Sequence, residues 1–130
     1  MAVREPRRAE PLVRALGDLP TAVEVLPFGQ VEGLALAEGA IVVNATPVGA
    51  SGEPLPLPRL GPGTVVVDLL YRPDPTPLTR AARAVGAEAH GGLGMLLHQA
   101  ALSFELWTGR EAPLQAMRAA AERARARAEG

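Results

Sequence analysis

The chain is predicted to be an α/β protein built on a doubly wound parallel sheet. Three observations point there. Two short runs, Ala40-Ile41-Val42-Val43-Asn44 and Thr64-Val65-Val66-Val67-Asp68, are almost wholly apolar and β-branched, as strands buried on both faces are. Helical patterns alternate with the strand patterns, the rhythm of βαβ units. Most of these segments are bounded by glycine or proline. At 130 residues the chain is expected to be a single domain with one core.

Along the chain, Ala2-Val3 reads as the end of a short strand, followed by a helix from Pro6 through Leu12, Val13 and Leu16 that stops at Gly17. Ala22-Val23-Glu24-Val25-Leu26 alternates like a strand, and Val31 to Ala37 reads as an apolar turn or short helix. The segment from Ala45 to Gly63 carries Pro47, Pro54, Pro56, Pro58 and Pro62 and is expected to be a long, stiff connecting loop rather than a polyproline ligand. Turns at Pro73, Pro75 and Pro77 lead to a helix over Thr76 to Val85 ended by Gly86, then a short segment Ala87 to His90. A helix follows to Gly109, with Leu93, Leu96, Leu97, Ala100, Ala101, Phe104 and Trp107 at helical spacing as its core face. The last helix spans Pro113 to Arg127, and its arginines, Arg118, Arg123, Arg125 and Arg127, read as a solvated face.

Composition removes several classes of function. Cysteine is absent, which excludes disulfides, thiolate metal sites and cysteine nucleophiles. Every one of the 13 basic residues is arginine, so no lysine can serve as base or Schiff-base former. The net charge of -1 and the lack of aromatics among the arginines argue against a nucleic-acid partner. No apolar run reaches the 18 or more residues of a membrane span, and Met1 to Glu10 lacks an apolar signal core, so the chain is expected to be cytoplasmic. His90 and His98 have no third ligand nearby, so no metal site is expected.

Ligands of open α/β sheets sit outside the carboxyl ends of the strands, which directs attention to four corners. After Val3, Arg4 and Arg8 stand one helical turn apart and suit an anion through charge-assisted hydrogen bonds. After Val43 comes the small-residue corner Asn44-Ala45-Thr46-Pro47-Val48-Gly49. After Val67 come Asp68, suited to capping the next turn, and Tyr71, the only tyrosine, suited to a polar substrate. After His90, Gly91-Gly92-Leu93-Gly94 opens a helix whose Met95 and Gln99 share one face, and the Gln99 amide can both donate and accept.

Taken together, Asn44-Ala45-Thr46-Pro47-Val48-Gly49, Asp68-Leu69-Leu70-Tyr71-Arg72-Pro73 with Thr76-Pro77-Leu78, and Gly92-Leu93-Gly94-Met95-Leu96 with Gln99-Ala100-Ala101 and Phe104-Glu105-Leu106-Trp107-Thr108-Gly109 closely resemble shikimate dehydrogenase. The resemblance covers nearly the whole chain but only the C-terminal half of the family's protein. It implies a partial Rossmann-like sheet with C-terminal helices, an incomplete cofactor-binding domain over residues 1–130. The first strand, its glycine-rich loop and the N-terminal substrate domain would be missing. The family's catalytic lysine and aspartate lie in that domain, so no catalytic residue is expected here and the chain alone is expected to be inactive.

Position by position, the resemblance implies that Arg4 and Arg8 grip the adenosine 2′-phosphate of NADP. Val3 and Glu5 replace the asparagine and threonine of the family's Asn-Arg-Thr-x-x-Arg motif, and the Glu5 carboxylate opens the way to NAD. Thr46 would line the cofactor groove, Leu69 and Gly92 would meet the nicotinamide end through backbone, and Met95 would pack near its ring. Tyr71 and Gln99 would contact shikimate or 3-dehydroshikimate. A relative that also takes quinate shares this pattern.

Overall fold

A computed structural model describes residues 1–17, 22–72 and 74–129; Pro73, one of the expected turn residues, lies outside them. Among the described residues, five strands and four helices follow in the order β1 (Ala2–Val3), α1 (Glu10–Ala15), β2 (Leu26–Pro27), β3 (Ile41–Asn44), β4 (Val65–Asp68), α2 (Pro77–Ala84), β5 (Glu88–His90), α3 (Leu93–Thr108) and α4 (Leu114–Glu129). Single 3-10 turns at Pro6–Ala9 and Phe28–Gln30 precede α1 and follow β2. All strand pairings are parallel, as expected, and fall into two sheets ordered β1-β2 and β3-β4-β5.

The expected helix from Pro6 to Leu16 is divided in two. Pro11 has no amide hydrogen and is tolerated only in a first turn, so a 3-10 turn closes at Ala9 and α1 starts afresh at Glu10. The second strand is also shorter and later than the alternation of Ala22 to Leu26 predicts. Its register pairs Ala2 with Leu26 and Val3 with Pro27, so a two-residue partner limits it at one end and the proline limits it at the other.

In the three-stranded sheet, Val42, Val66 and Ala89 share a face with Leu78 and Ala82 of α2. Leu55, Leu57 and Leu60 pack on the same cluster, so the proline-rich loop is fixed by its leucines to the core. Val66, Leu78 and Ala82 are at most 2% exposed. Fully burying a valine or leucine contributes about 1.5–3 kcal/mol. α2 begins at Thr76, whose hydroxyl accepts from the Thr79 amide, with Pro77 in the first turn.

Two-sided burial of the strands is not what the structure shows. On β3, Ile41 is 68% and Val43 54% exposed, because α2 covers one face of this sheet and, among the described residues, no other helix packs on it comparably. The core face of α3 is also narrower than its spacing implies. Leu97 and Ala101 are buried, whereas Leu96 is exposed and Trp107 lies 81% in solvent, together with Leu102 and Leu106. Leu93, Leu97, Ala101 and Phe104 make the inward stripe, and Leu96 stands a quarter turn away from it. Among the described residues, no helix is long and apolar enough to cross a membrane.

Candidate functional site

The ends of β3 and β4 are joined by buried polar groups. Asn44 and Asp68 are paired in register as the last residues of their strands, and both are buried. Asn44 Nδ2 donates to Asp68 Oδ1 at 3.0 Å and to the Val48 carbonyl at 3.1 Å. Asp68 also accepts from the Leu70 amide at 3.1 Å and, through Oδ2, from the Thr76 hydroxyl at 2.7 Å. One carboxylate therefore receives three donors, from β3, from its own turn and from the cap of α2. Buried polar groups are stable when satisfied in this way, and no described buried side-chain polar atom lacks a partner.

Thr46 belongs to the same lock. Its hydroxyl donates to Asn44 Oδ1 at 2.7 Å and accepts from the Val48 amide at 3.2 Å, so its hydrogen is already committed within the corner. In sequence Asp68 reads only as a turn cap, and Asn44 and Thr76 carry no individual role in the site. The legible signal was polar residues closing both apolar runs, Asn44 and Asp68 at equivalent strand ends.

The β5–α3 corner closes on this lock through backbone. Gly92 donates its amide to the Leu70 carbonyl at 2.9 Å. A Cβ at Gly92 would stand 2.1 Å from the Leu69 carbonyl oxygen and 2.6 Å from its carbon, a contact no side chain tolerates. Only glycine lets these two backbones approach so closely. Leu69 and Gly92, both expected at the nicotinamide end, are thus brought together. Tyr71 and Gly92 line one cavity. Tyr71 is 47% exposed with the Arg72 guanidinium 6.0 Å from its ring centre, and Met95 and Gln99 are exposed one turn apart on α3.

Arg4 and Arg8 stand on the other sheet, at the end of β1 and in the 3-10 turn after it, both exposed. Arg8 Nε pairs with Glu5 Oε2 at 2.8 Å. Arg4 lies close enough to Glu53 to act on its charge. The Glu53 carboxyl is held below the ordinary carboxylate range first by the Gly49 amide, then by its own and the Ser51 amide, with Arg4 adding to them.

Parallel strands, a covering helix and carboxyl-end corners built on glycine and small polar residues define a Rossmann-type α/β unit. The family described as Shikimate 5'-dehydrogenase C-terminal domain matches residues 92–122. A shikimate dehydrogenase (NADP(+)) of Pelodictyon phaeoclathratiforme is 41% identical over 122 residues, which are 89% of this chain and 42% of that protein. Shikimate 5-dehydrogenase from Thermus thermophilus, solved in complex with shikimate, is 37% identical with a TM-score of 0.70, over 96% of this chain and 44% of the other. Quinate dehydrogenase from Corynebacterium glutamicum, in complex with NAD, is 35% identical with a TM-score of 0.74, over 90% and 43%. In sequence and in fold the chain is similar to the Rossmann-type part of the shikimate dehydrogenases. It spans less than half the length of these relatives.

Proposed function

We propose that this chain is the cofactor-binding portion, incomplete at its N-terminal side, of an NADP-dependent shikimate dehydrogenase. That enzyme interconverts shikimate and 3-dehydroshikimate on the route to chorismate and the aromatic amino acids. The observation that carries the reading is the meeting of the motif-bearing corners: Asn44 on Asp68, and Gly92 on Leu69 and Leu70, within a fold similar to NADP-dependent relatives.

The residues present fit a dinucleotide. The missing side chain at Gly92 lets the start of α3 close on the Leu69 backbone, which holds the glycine corner in place where the nicotinamide end would approach. Arg4 and Arg8 are exposed guanidiniums at a strand end, suited to the adenosine 2′-phosphate. NADP, when bound, supplies the hydride. The chain's own residues bind and orient: Thr46 edges the groove, Met95 packs by the ring, and Tyr71 and Gln99 hydrogen-bond the substrate. The residues that move the proton belong to an N-terminal domain, which is the partner this reading requires, and the chain alone is inactive. A cytoplasmic setting goes with it.

The Glu5–Arg8 ion pair favours a second reading, in which NAD serves as well, and the similarity to a quinate dehydrogenase solved with NAD supports a substrate range that extends to quinate. The discriminating experiment is thermal unfolding of the purified chain with saturating NADP or NAD. Ligand at a hundredfold excess over Kd stabilises by about 2.7 kcal/mol. NADP is expected to raise the midpoint more than NAD, with Arg8→Ala abolishing the difference. Equal shifts would assign dual use. No shift with either would reject cofactor binding and leave a non-catalytic Rossmann-like unit.

A further inference from the structure

Of the arginines on α4, Arg118 and Arg125 stand seven residues apart and so share one face, with Glu122 between them. All three line a cavity of about 330 Å³, whose other walls are the Tyr71 and Asp74 loop, the glycine-rich start of α3 and Arg83 of α2. The arginine run that reads in sequence as a solvated face is largely exposed, Arg118, Arg123 and Arg127 included, but Arg118 and Arg125 line this concavity while Arg123 and Arg127 do not.

Three arginines from two helices line the cavity with two acidic residues, Asp74 and Glu122, an excess of one positive charge among these five. Asp74 is engaged by Arg125. Arg83 uses one nitrogen on the Ala89 carbonyl at 3.0 Å and keeps its other donors. Arg118 makes no ion pair among the described residues. The facing wall at Gly91, Gly92 and Gly94 carries no side chains, so a ligand can approach the backbone closely.

We propose that this cavity binds a small oxyanion, the carboxylate or phosphate group of a ligand, gripped by the Arg118 fork and assisted by Arg83. An arginine fork presents paired N–H donors in the geometry of either group. The site is separate from Arg4 and Arg8, which lie on the other sheet, and it adjoins the proposed nicotinamide and substrate end, with which it shares Tyr71 and Gly92, although anion binding by the arginines does not rest on that reading.

The test is a titration of the ¹⁵N-labelled chain with inorganic phosphate and, separately, with acetate at constant ionic strength. Saturable shifts at the Gly94 amide and the Arg118 side chain are expected. Arg118→Gln should weaken binding about tenfold, the value of one charge-assisted contact. Arg123→Gln, outside the cavity, should leave it unchanged. Tighter binding of phosphate would mark a phosphorylated ligand and tighter binding of acetate a carboxylic acid. Absence of saturation with both anions, or equal loss in the Arg118 and Arg123 variants, would overturn the site.

Discussion

The corner around Asp68 and the corner around Arg4 both follow parallel strands, yet they are held by different physics. At Asp68 a buried carboxylate collects donors from β3, from its own turn and from a helix cap, and Gly92 docks on the adjoining backbone. At Arg4 the strand is two residues long, the side chains are in solvent, and the ion pair present joins Glu5 to Arg8 across three residues. The first corner is shaped before any ligand arrives. The second is charged but loosely placed, so the nicotinamide end of the proposed site is preorganised and the phosphate end is not.

Removing the lock should have the largest effect. Asp68→Ala leaves the Asn44 amide, the Leu70 N–H and the Thr76 hydroxyl without their acceptor. At about 1–3 kcal/mol for each unsatisfied buried group, a loss of about 3–5 kcal/mol is expected in urea unfolding. A loss under about 1 kcal/mol would mean that water replaces the carboxylate and that the corner is not preorganised. Next comes Gly92→Ala, expected to cost about 3 kcal/mol through forced separation of α3 from the Leu69 backbone. Gly94→Ala is its control: nothing lies within 4 Å of a Cβ there, so helix propensity should make the change neutral or stabilising by up to about 1 kcal/mol. Matching losses in the two variants would remove close approach as the reason for Gly92.

How far this could be read from sequence follows from the range of each interaction. β3, β4, α2, α3 and α4 are legible because their signals are local: β-branched runs, the turn prolines before α2, helical spacing and the Gly86 and Gly109 stops. β5 is only a short segment in sequence, since Glu88, Ala89 and His90 carry little strand preference and the edge of β4 recruits them. The second strand is displaced because its extent is set by Ala2-Val3, more than twenty residues away. The exposure of Trp107 and Ile41 is invisible in sequence, because apolar character says what a residue tolerates and not what covers it. At the site, glycine and small residues mark the corners, while the pairing of Asn44 with Asp68 across 24 residues exists only in the fold.

The Arg4 corner should answer mutation weakly in stability and more clearly in binding. Glu5→Gln removes the exposed pair with Arg8, and exposed pairs contribute about 0.2–1 kcal/mol, so unfolding should shift by no more than that. On the proposed reading, freeing Arg8 and deleting a nearby negative charge should raise NADP affinity about two- to fivefold relative to NAD, from a similar energy. A stability loss as large as that of Asp68→Ala would erase the contrast between the corners.

The smallest effect tests whether the two corners are coupled at all. Glu53 Oε2 accepts from the Ser51 amide at 3.0 Å, and its carboxyl titrates below the usual range because the Gly49 amide above all, with Arg4 as a lesser contributor, favours the ionised form. A depressed carboxyl stabilises the fold above its unfolded pKa and loses that contribution as pH falls through the folded value. The turn from Gly49 to Glu53 should therefore be fixed at neutral pH and loosen only in acid below the ordinary glutamate range. With the side chain in solvent, this shows in the local signals of Glu53 and Ser51 and not in global stability. Arg4→Ala should move the Glu53 titration slightly upward, with the larger part of the depression surviving through the backbone amides. If Arg4→Ala leaves that titration where it was, the arginine does not sense the β3 corner, and the phosphate end must be positioned by its ligand alone.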